Sequence, residues 1–131
     1  MNCQVLIYEG TSHSFYAISE EVRAEIVGLS DREWGDFLVG AAVLEGSIES
    51  GRPPGIVVVP LEDSVEGLHV LDLTIFGGSR KIIWSRRGHR VLIAHVVRGR
   101  RIGKKEREIA EAAIRKWRRK TPRRRADTRE G

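Results

Sequence analysis

Apolar residues in the first half of the chain recur mostly at helical intervals, after one short β-rich run. Residues 4–8 (QVLIY) favour a first strand, and residues 10–15 favour a polar turn after it. Apolar positions three and four apart then predict one helix over residues 19–28 and a second over 31–49. The second helix begins at a capping-box pattern, S-D-R-E from Ser30, and ends before a glycine- and proline-rich segment. A strand followed by a helix hairpin is expected.

The second half of the chain changes to the two-residue period of β-strands. Residues 56–59 (IVVV) predict a short edge strand, which the following proline ends. Residues 68–75, 81–84 and 91–97 predict three further strands, and the glycine-containing turns between them favour an antiparallel meander. Residues 104–120 return to the helical period, with one apolar stripe and an almost entirely charged opposite side. Three or four strands followed by a basic helix are therefore expected here.

These elements together predict an α+β fold. The N-terminal strand and the helix hairpin would pack on an antiparallel sheet of three to five strands, followed by a C-terminal basic helix. One face of the sheet would take the hairpin, and the other face or its rim would be left for function. We expect one domain over residues 1–120. Residues 121–131 (TPRRRADTREG) have no apolar anchor, so they predict a disordered basic tail.

The composition narrows the class of protein. A chain of 131 residues with 40% hydrophobic residues suits one domain with one modest core. The single cysteine, Cys3, excludes an internal disulfide and fits a reducing cytoplasm. The sequence has no secretory signal pattern, no apolar run long enough to cross a bilayer and no metal-binding Cys/His spacing. We therefore expect a cytoplasmic protein that uses no metal or other cofactor and no membrane.

Charge is divided unevenly between the two halves of the chain. Residues 1–79 carry 3 basic and 13 acidic side chains, a net charge of −10. Residues 80–131 carry 20 basic side chains, most of them arginine, and 5 acidic ones, a net charge of +15. A basic half of this kind favours a polyanionic partner, and the planar arginine fork binds phosphate bidentately. We therefore expect the basic half to contact nucleic acid; the alternative is a solvated basic face with a solubilising tail.

One stretch of the second half resembles a known protein family. It comprises residues 68–84 (LHVLDLTIFGGSRKIIW) and 91–97 (VLIAHVV), followed by a basic loop and an amphipathic helix. It resembles the RelE/ParE superfamily of bacterial toxins, and most of all the HigB-like, phage-derived branch. Members of that branch have strands of the types L-Y-E-L-R, Y-R-V-L-Y and L-L-H-G-F before a lysine-rich loop. Residues 68–73, 81–84 and 93–97 stand at these three strands.

The resemblance extends over residues 4–118 in the order of elements, and over residues 68–110 in the residues themselves. The chain departs from the family pattern at several positions. Asp72 and Lys81 stand where the family has arginine, and Val97 stands where it has phenylalanine. The Thr-Pro that commonly opens the last helix is missing. These departures bear on catalysis more than on the fold, for which the resemblance implies a single RelE-like domain.

The resemblance implies a toxin of a type II toxin–antitoxin system, an mRNA endoribonuclease that acts at the ribosome and inhibits translation. It implies a cognate antitoxin as partner, typically a helix-turn-helix protein encoded by the adjacent gene, besides mRNA and the ribosome. Three alternatives stay open. They are a ParE-like inhibitor of DNA gyrase, a non-catalytic RNA-binding protein that keeps the fold, and a protein whose basic tail binds an acidic protein.

Cleavage of RNA needs few protein groups because the substrate carries its own nucleophile, the 2′-hydroxyl. An enzyme aligns that hydroxyl with the phosphate, removes its proton, stabilises the pentavalent phosphate and protonates the leaving oxygen. His95, late in a predicted strand, is the candidate for proton transfer. Lys81 is a candidate for contact with the scissile phosphate, and Arg98 and Arg101 are candidates for stabilising the transition-state charge. Each candidate has a purely structural alternative. His95 could be a strand histidine bonded to a backbone carbonyl, and Lys81 could be a charge at the edge of the sheet. Arg98 and Arg101 could belong to a solvated basic turn.

Other cations of the basic half are candidates for contact with the RNA backbone. Trp84 lies in a predicted strand, where buried packing is favoured over stacking on a base. Trp117 lies on the apolar stripe of the last helix and is expected in the core. The candidate RNA-binding residues lie at the strand start, the hairpin turn and the loop and helix that follow: Arg80, Arg86, Arg87, Arg90, Arg100, Lys104 and Lys105.

Overall fold

In residues 5–51, 57–99 and 101–120, which the computed structural model describes, the chain forms a six-stranded sheet and three α-helices. The predicted α+β class is confirmed. The predicted tail over 121–131 and the predicted RNA contact Arg100 lie outside the described residues. The elements in chain order are β1 (Val5–Glu9), β2 (Ser14–Ala17), α1 (Glu20–Val27), α2 (Asp31–Ser50), β3 (Val58–Pro60), β4 (His69–Asp72), a 3₁₀ helix (Leu73–Phe76), β5 (Arg80–Arg87), β6 (Arg90–Arg98) and α3 (Lys104–Lys120).

The sheet is mixed, with the strand order β1-β2-β6-β5-β4-β3. The predicted meander is present, because β4, β5 and β6 pair antiparallel, and β3 pairs with β4 as the predicted edge strand. The sheet differs from the predicted antiparallel sheet of three to five strands in having β2, which pairs antiparallel with β1 and parallel with β6. Residues 14 and 15 had been assigned to a polar turn. Phe15 and Ala17 are both buried in this strand, but an alternation over only four residues gives a weak signal.

The 3₁₀ helix interrupts what the sequence predicted as one strand over residues 68–75. β4 ends at Asp72, whose Oδ1 accepts hydrogen bonds from the backbone N–H of Thr74 at 3.0 Å and from its hydroxyl at 2.5 Å. A short acidic side chain that bonds the backbone two residues ahead favours a turn over an extended strand. Gly77, at φ 88°, then ends the 3₁₀ helix in a left-handed conformation that glycine adopts without steric cost.

A bulge in β6 decides which way the site residues face. Trp84 pairs with Ile93, whereas its neighbour Ile83 pairs with His95, so Ala94 has no partner on β5. Because paired residues point to the same face, the bulge turns His95 to the face opposite Ile93. We call the face that carries Ile93 the first face and the face that carries His95 the second face. The first face also carries Leu71 and Ile82. The second face carries Val70, Ile83, His95 and Val97.

Helices cover both faces of the sheet. On the first face, Phe37 of α2 meets Phe15 edge-on, with ring centroids 5.9 Å apart. On the second face, α3 packs along β6 and buries Ala110 and Ile114 completely. Most of the apolar stripe predicted for the last helix therefore packs on the sheet, but Ile109, which was predicted as part of it, is 41% exposed. The second face is thereby covered instead of open, so a binding site is left at its rim.

The α2 helix lies close to the first face at Gly40. A Cβ atom at this position would lie 3.0 Å from Cδ2 of Leu73 and 3.2 Å from Cδ1 of Leu71. Glycine is therefore required here for close packing of the helix against the sheet. Two other glycines of the same helix, Gly35 and Gly46, have nothing within 4 Å of such an atom.

Replacing Gly40 by valine is expected to destabilise the protein by about 1–3 kcal/mol, because the added methyl groups overpack a closed contact. The measurement is the urea unfolding midpoint at an unchanged slope. Gly46→Ala is the matched control. It removes a flexible residue from an open helix position, so a gain of about 0.5–1 kcal/mol is expected. Equal effects of the two substitutions would contradict the close approach at Gly40.

The loop between β1 and β2 is fastened to α2 by a buried carboxylate. Glu45, 6% exposed, accepts hydrogen bonds from the backbone N–H of Ser12 at 2.7 Å and of His13 at 2.7 Å. The Thr11 N–H and the Ser12 hydroxyl add longer bonds at 3.4 and 3.2 Å. Burial alone would raise the pKa of Glu45, but these hydrogen bonds outweigh it and lower the pKa below its ordinary value. The negatively charged Glu45 side chain therefore holds the β1–β2 loop against α2.

Candidate nucleic-acid interface

His95 and Glu106 form a close pair at the rim of the second face. The bulge in β6 presents His95, and the first turn of α3 presents Glu106. Nε2 of His95 lies 2.5 Å from Oε1 of Glu106, and the two side chains are 19% and 35% exposed. A carboxylate is also favoured in this first turn by the helix dipole. The sequence identifies His95 as a candidate. It does not single out Glu106, because α3 carries many other charged residues.

The pair has a defined chemical capacity. A carboxylate that accepts a hydrogen bond from Nε2–H holds the ring proton on that nitrogen. In the neutral ring, Nδ1 then carries the lone pair and can take a proton from a substrate hydroxyl. The carboxylate also stabilises the imidazolium that this transfer creates. The arrangement is that of a histidine base or acid oriented by an acidic neighbour.

Lys81 lies on the same face as His95. The two are diagonal neighbours on β5 and β6, because His95 pairs with Ile83 and Lys81 is two residues before it. Such positions are about 7–8 Å apart between Cα atoms. The Lys81 ammonium is held by Asp72, with 3.1 Å between Nζ and Oδ2. The structure therefore brings Lys81 close to His95, but an acidic residue already partly balances its charge.

Arg80 and Arg98 lie on the face opposite His95. They pair with each other at the ends of β5 and β6. Arg80 is only 12% exposed and lies 3.3 Å from Glu33 of α2, measured from Nε to Oε2. The pKa of Glu33 is lowered, first by the backbone hydrogen bond from Ser30 and also by Arg80. The structure thus gives Arg80 a packing role against α2, and leaves Arg98 exposed on the face opposite the predicted catalytic histidine.

The cations of the β5–β6 hairpin cluster at the far end of the same sheet. Arg86 is exposed, and its Nε donates to the carbonyl of Gly88 at 3.1 Å. Arg87 and Arg90 pair across the two strands next to the turn. Their guanidinium groups lie over aromatic rings. The structure therefore brings Arg87 and Arg90 together on the second face, whereas Arg86, which pairs with Val91, lies on the first face.

Arg101, Lys104 and Lys105 are exposed where the chain enters α3. Lys104 is also 4.0 Å from Glu108 one turn along the helix, a solvent-exposed ion pair that contributes little energy. These three cations precede Glu106 by at most five residues. The start of α3 therefore carries exposed positive charge close in sequence to Glu106 of the His95–Glu106 pair.

Ion pairs and a backbone hydrogen bond attach α3 to the loop between β3 and β4. Glu111, buried on α3, accepts a hydrogen bond from the Val65 N–H at 2.7 Å. Glu66 in the same loop pairs with Arg115 at 3.5 Å and with Arg118. Two cations of α3 are therefore engaged by an acid from the first half of the chain. The charged side of this helix is partly an internal contact.

Trp84 is buried, as the sequence favoured. It is 4% exposed and stacks on His69 with ring centroids 4.8 Å apart. Burial lowers the pKa of His69. Trp84 therefore packs in the sheet and does not offer a face to a base.

The described part of the chain contains neither a candidate metal site nor a candidate membrane-spanning helix. Among those residues, no group of three or more His, Cys, Asp or Glu side chains is arranged to hold a metal ion. Within the same ranges, no helix has the length and the apolar character that crossing a membrane requires.

Comparison with known proteins gives no further assignment, since neither a protein-family model nor a curated protein matches the chain. A function for this surface therefore rests on its geometry and its charge.

Proposed function

We propose that the chain is an endoribonuclease that cleaves mRNA, the toxin of a type II toxin–antitoxin system. The observation that carries the proposal is the 2.5 Å contact between His95 and Glu106 at a partly exposed rim. A histidine whose tautomer is set by a carboxylate, beside Lys81 and the exposed cations that lead into α3, suits proton transfer on a bound polyanion. The resemblance to the RelE/ParE superfamily points to the same activity.

The proposed reaction uses the 2′-hydroxyl of the RNA as nucleophile. Nδ1 of His95 takes its proton, O2′ attacks the adjacent phosphorus, and the bond to the 5′-oxygen of the next nucleotide breaks as that oxygen takes a proton from a solvent water. His95 afterwards returns its own proton to the solvent. The products are a 2′,3′-cyclic phosphate and a free 5′-hydroxyl. A bound phosphate competes with Asp72 for the Lys81 ammonium group. The ammonium group then stabilises the negative charge that develops on the phosphate in the transition state. Arg101, Lys104 and Lys105 hold the flanking backbone.

The proposed setting is the cytoplasm, with mRNA on the ribosome as substrate. The exposed cations of the β5–β6 hairpin and of α3 suit contact with ribosomal RNA. The proposed protein partner is an antitoxin, a small helix-turn-helix protein encoded beside the chain. Its acidic groups would cover the same cations and so block RNA.

The test is in vitro translation in the presence of the purified protein, followed by primer extension on the mRNA. New primer stops are expected, and the upstream fragments are expected to end in a cyclic or 3′-phosphate. A single 2′-deoxy substitution at the cleaved nucleotide should abolish that stop, because it removes the nucleophile. Intact mRNA, both free and on translating ribosomes, would contradict the proposed activity.

A second candidate function is RNA binding without cleavage. It is favoured by the ion pairs of Lys81 with Asp72 and of Arg80 with Glu33, and by Arg98 facing away from His95. These contacts leave fewer free cations converging on a scissile phosphate than the sequence predicted. This function predicts RNA affinity that falls steeply with salt, and no new primer stops under any condition.

A further inference from the structure

Two arginine–aromatic pairs lie side by side at the hairpin end of the second face. Arg87 and Arg90 pair across β5 and β6, so their side chains share one face. The Arg87 guanidinium carbon lies 5.4 Å from the ring centroid of Trp117 on α3. The Arg90 guanidinium carbon lies 5.6 Å from the ring centroid of Tyr16 on β2. The strand β2, the β5–β6 hairpin and the helix α3, which are distant from one another in the sequence, therefore bring two such pairs together.

The exposure of these groups suits a contact with a ligand. Arg90 is exposed, and Tyr16, Arg87 and Trp117 are half-buried, in contrast to the buried Trp84. A guanidinium over an aromatic ring is held in place by a cation–π attraction and is already oriented before a ligand arrives. Proteins recognise single-stranded RNA by stacking its bases on aromatic rings and on arginine planes. The two pairs therefore form planar surfaces of a kind that bases can use.

We propose that Tyr16, Arg87, Arg90 and Trp117 form a stacking platform for two bases of single-stranded RNA. The proposal rests on the RNA binding proposed above and names the form of RNA that this surface takes. The platform selects single strands, because bases inside a duplex have no free face. Sequence preference at the platform is weak, since every base has a π-face.

The platform lies away from the proposed reaction centre. Ile83, the partner of His95, and Arg87 are on the same face of β5, four residues or about 13 Å apart. Along α3, Glu106 and Trp117 are eleven residues or about 16 Å apart. The platform therefore holds bases that flank the cleaved bond, and cleavage and stacking can be measured separately.

The test is binding of a fluorescent single-stranded RNA of about 12 nucleotides with 2′-O-methyl groups, which block the nucleophile and prevent cleavage. The same strand without bases and the duplex of equal length are compared at one ionic strength. Tyr16→Leu and Arg90→Lys are each expected to weaken binding of the intact strand about tenfold. Binding of the abasic strand should stay nearly unchanged, because Arg90→Lys keeps the charge and Tyr16→Leu never carried one.

Lys105→Gln is the matched control, because it removes one exposed charge at the other end of α3. It is expected to weaken the intact and the abasic strand equally. The platform is overturned if the Tyr16 and Arg90 variants also weaken both strands equally or neither, or if the wild-type protein prefers the duplex. Folding of the variants is checked by thermal unfolding; Arg90→Lys alters only an exposed side chain, so it decides the case if Tyr16→Leu unfolds. Absence of cleavage on unmodified RNA overturns the proposed nuclease and leaves this binding result standing.

Discussion

Replacing His95 by glutamine is expected to slow RNA cleavage about 10³-fold, because positioned proton transfer contributes roughly 10²–10⁴-fold to such reactions. Glutamine keeps a polar group within reach of Glu106 but cannot exchange a proton near neutral pH. The loss is therefore expected in the rate at saturating RNA, with binding almost unchanged. The measurement is single-turnover cleavage of an end-labelled RNA with protein in excess. His89→Gln, in the exposed hairpin turn, is the matched control and should leave that saturated rate as it is.

In the proposed reaction, Glu106 acts through His95 and is therefore a positioning residue. Glu106→Gln still offers an oxygen that accepts a hydrogen bond from Nε2–H, whereas Glu106→Leu offers none. We expect the glutamine variant to retain more activity than the leucine variant. The ¹⁵N NMR shifts of the His95 ring should show the proton on Nε2 in the wild type and in Glu106→Gln, and a mixture of tautomers in Glu106→Leu. Wild-type cleavage by His95→Gln would remove the pair from the mechanism.

Local signals in the sequence predicted most of the elements well. The second helix was expected over residues 31–49 and runs Asp31–Ser50, because its capping box and its C-terminal Gly51 are encoded locally. The last helix was expected over 104–120, where α3 lies. The strand β2 was missed, since its four residues gain stability from parallel pairing with β6, which lies more than 70 residues later. Such pairing leaves no local pattern in the chain.

The candidate site was predicted in part for the same reason. His95 and Lys81 were identified as single residues, but their surroundings depend on strand ends and on the bulge in β6. Arg98 was assigned to a loop after the strand, whereas β6 extends through it and alternation turns it away from His95. Glu106 could be found only once α3 was known to pack on the second face. The acidic partners of Arg80 and Lys81 likewise come from elements whose contacts are non-local.

Replacing Glu45 by alanine is expected to destabilise the protein by about 3 kcal/mol, because it leaves the buried N–H group of His13 and the partly buried N–H group of Ser12 without their acceptor. The measurement is urea unfolding at about pH 7. Glu45→Gln keeps one acceptor oxygen and should lose less. Glu49→Ala, an exposed acid one turn later on α2, is the matched control and should stay within about 0.5 kcal/mol of the wild type. Equal stability of the two alanine variants would show that the carboxylate does not fasten the loop.

The pH dependence of the same variants separates the charge of Glu45 from its packing. The folded pKa of Glu45 lies below its ordinary value of 4.5, so the unfolded chain binds the proton more readily. Its contribution to stability is therefore complete above pH 4.5 and is lost as the pH falls through the lower, folded pKa. His13, whose pKa is lowered mainly by burial, adds a separate loss that begins below its ordinary value of 6.5. The wild type and Glu45→Gln should thus converge in stability only in the lower of the two windows, where the wild type protonates its carboxylate. In the upper window their difference should not shrink, because the Glu45 carboxylate raises the pKa of His13 and its removal enlarges the loss from His13. Convergence that is complete before the pH reaches 4.5 would contradict the assignment of the effect to the Glu45 carboxylate.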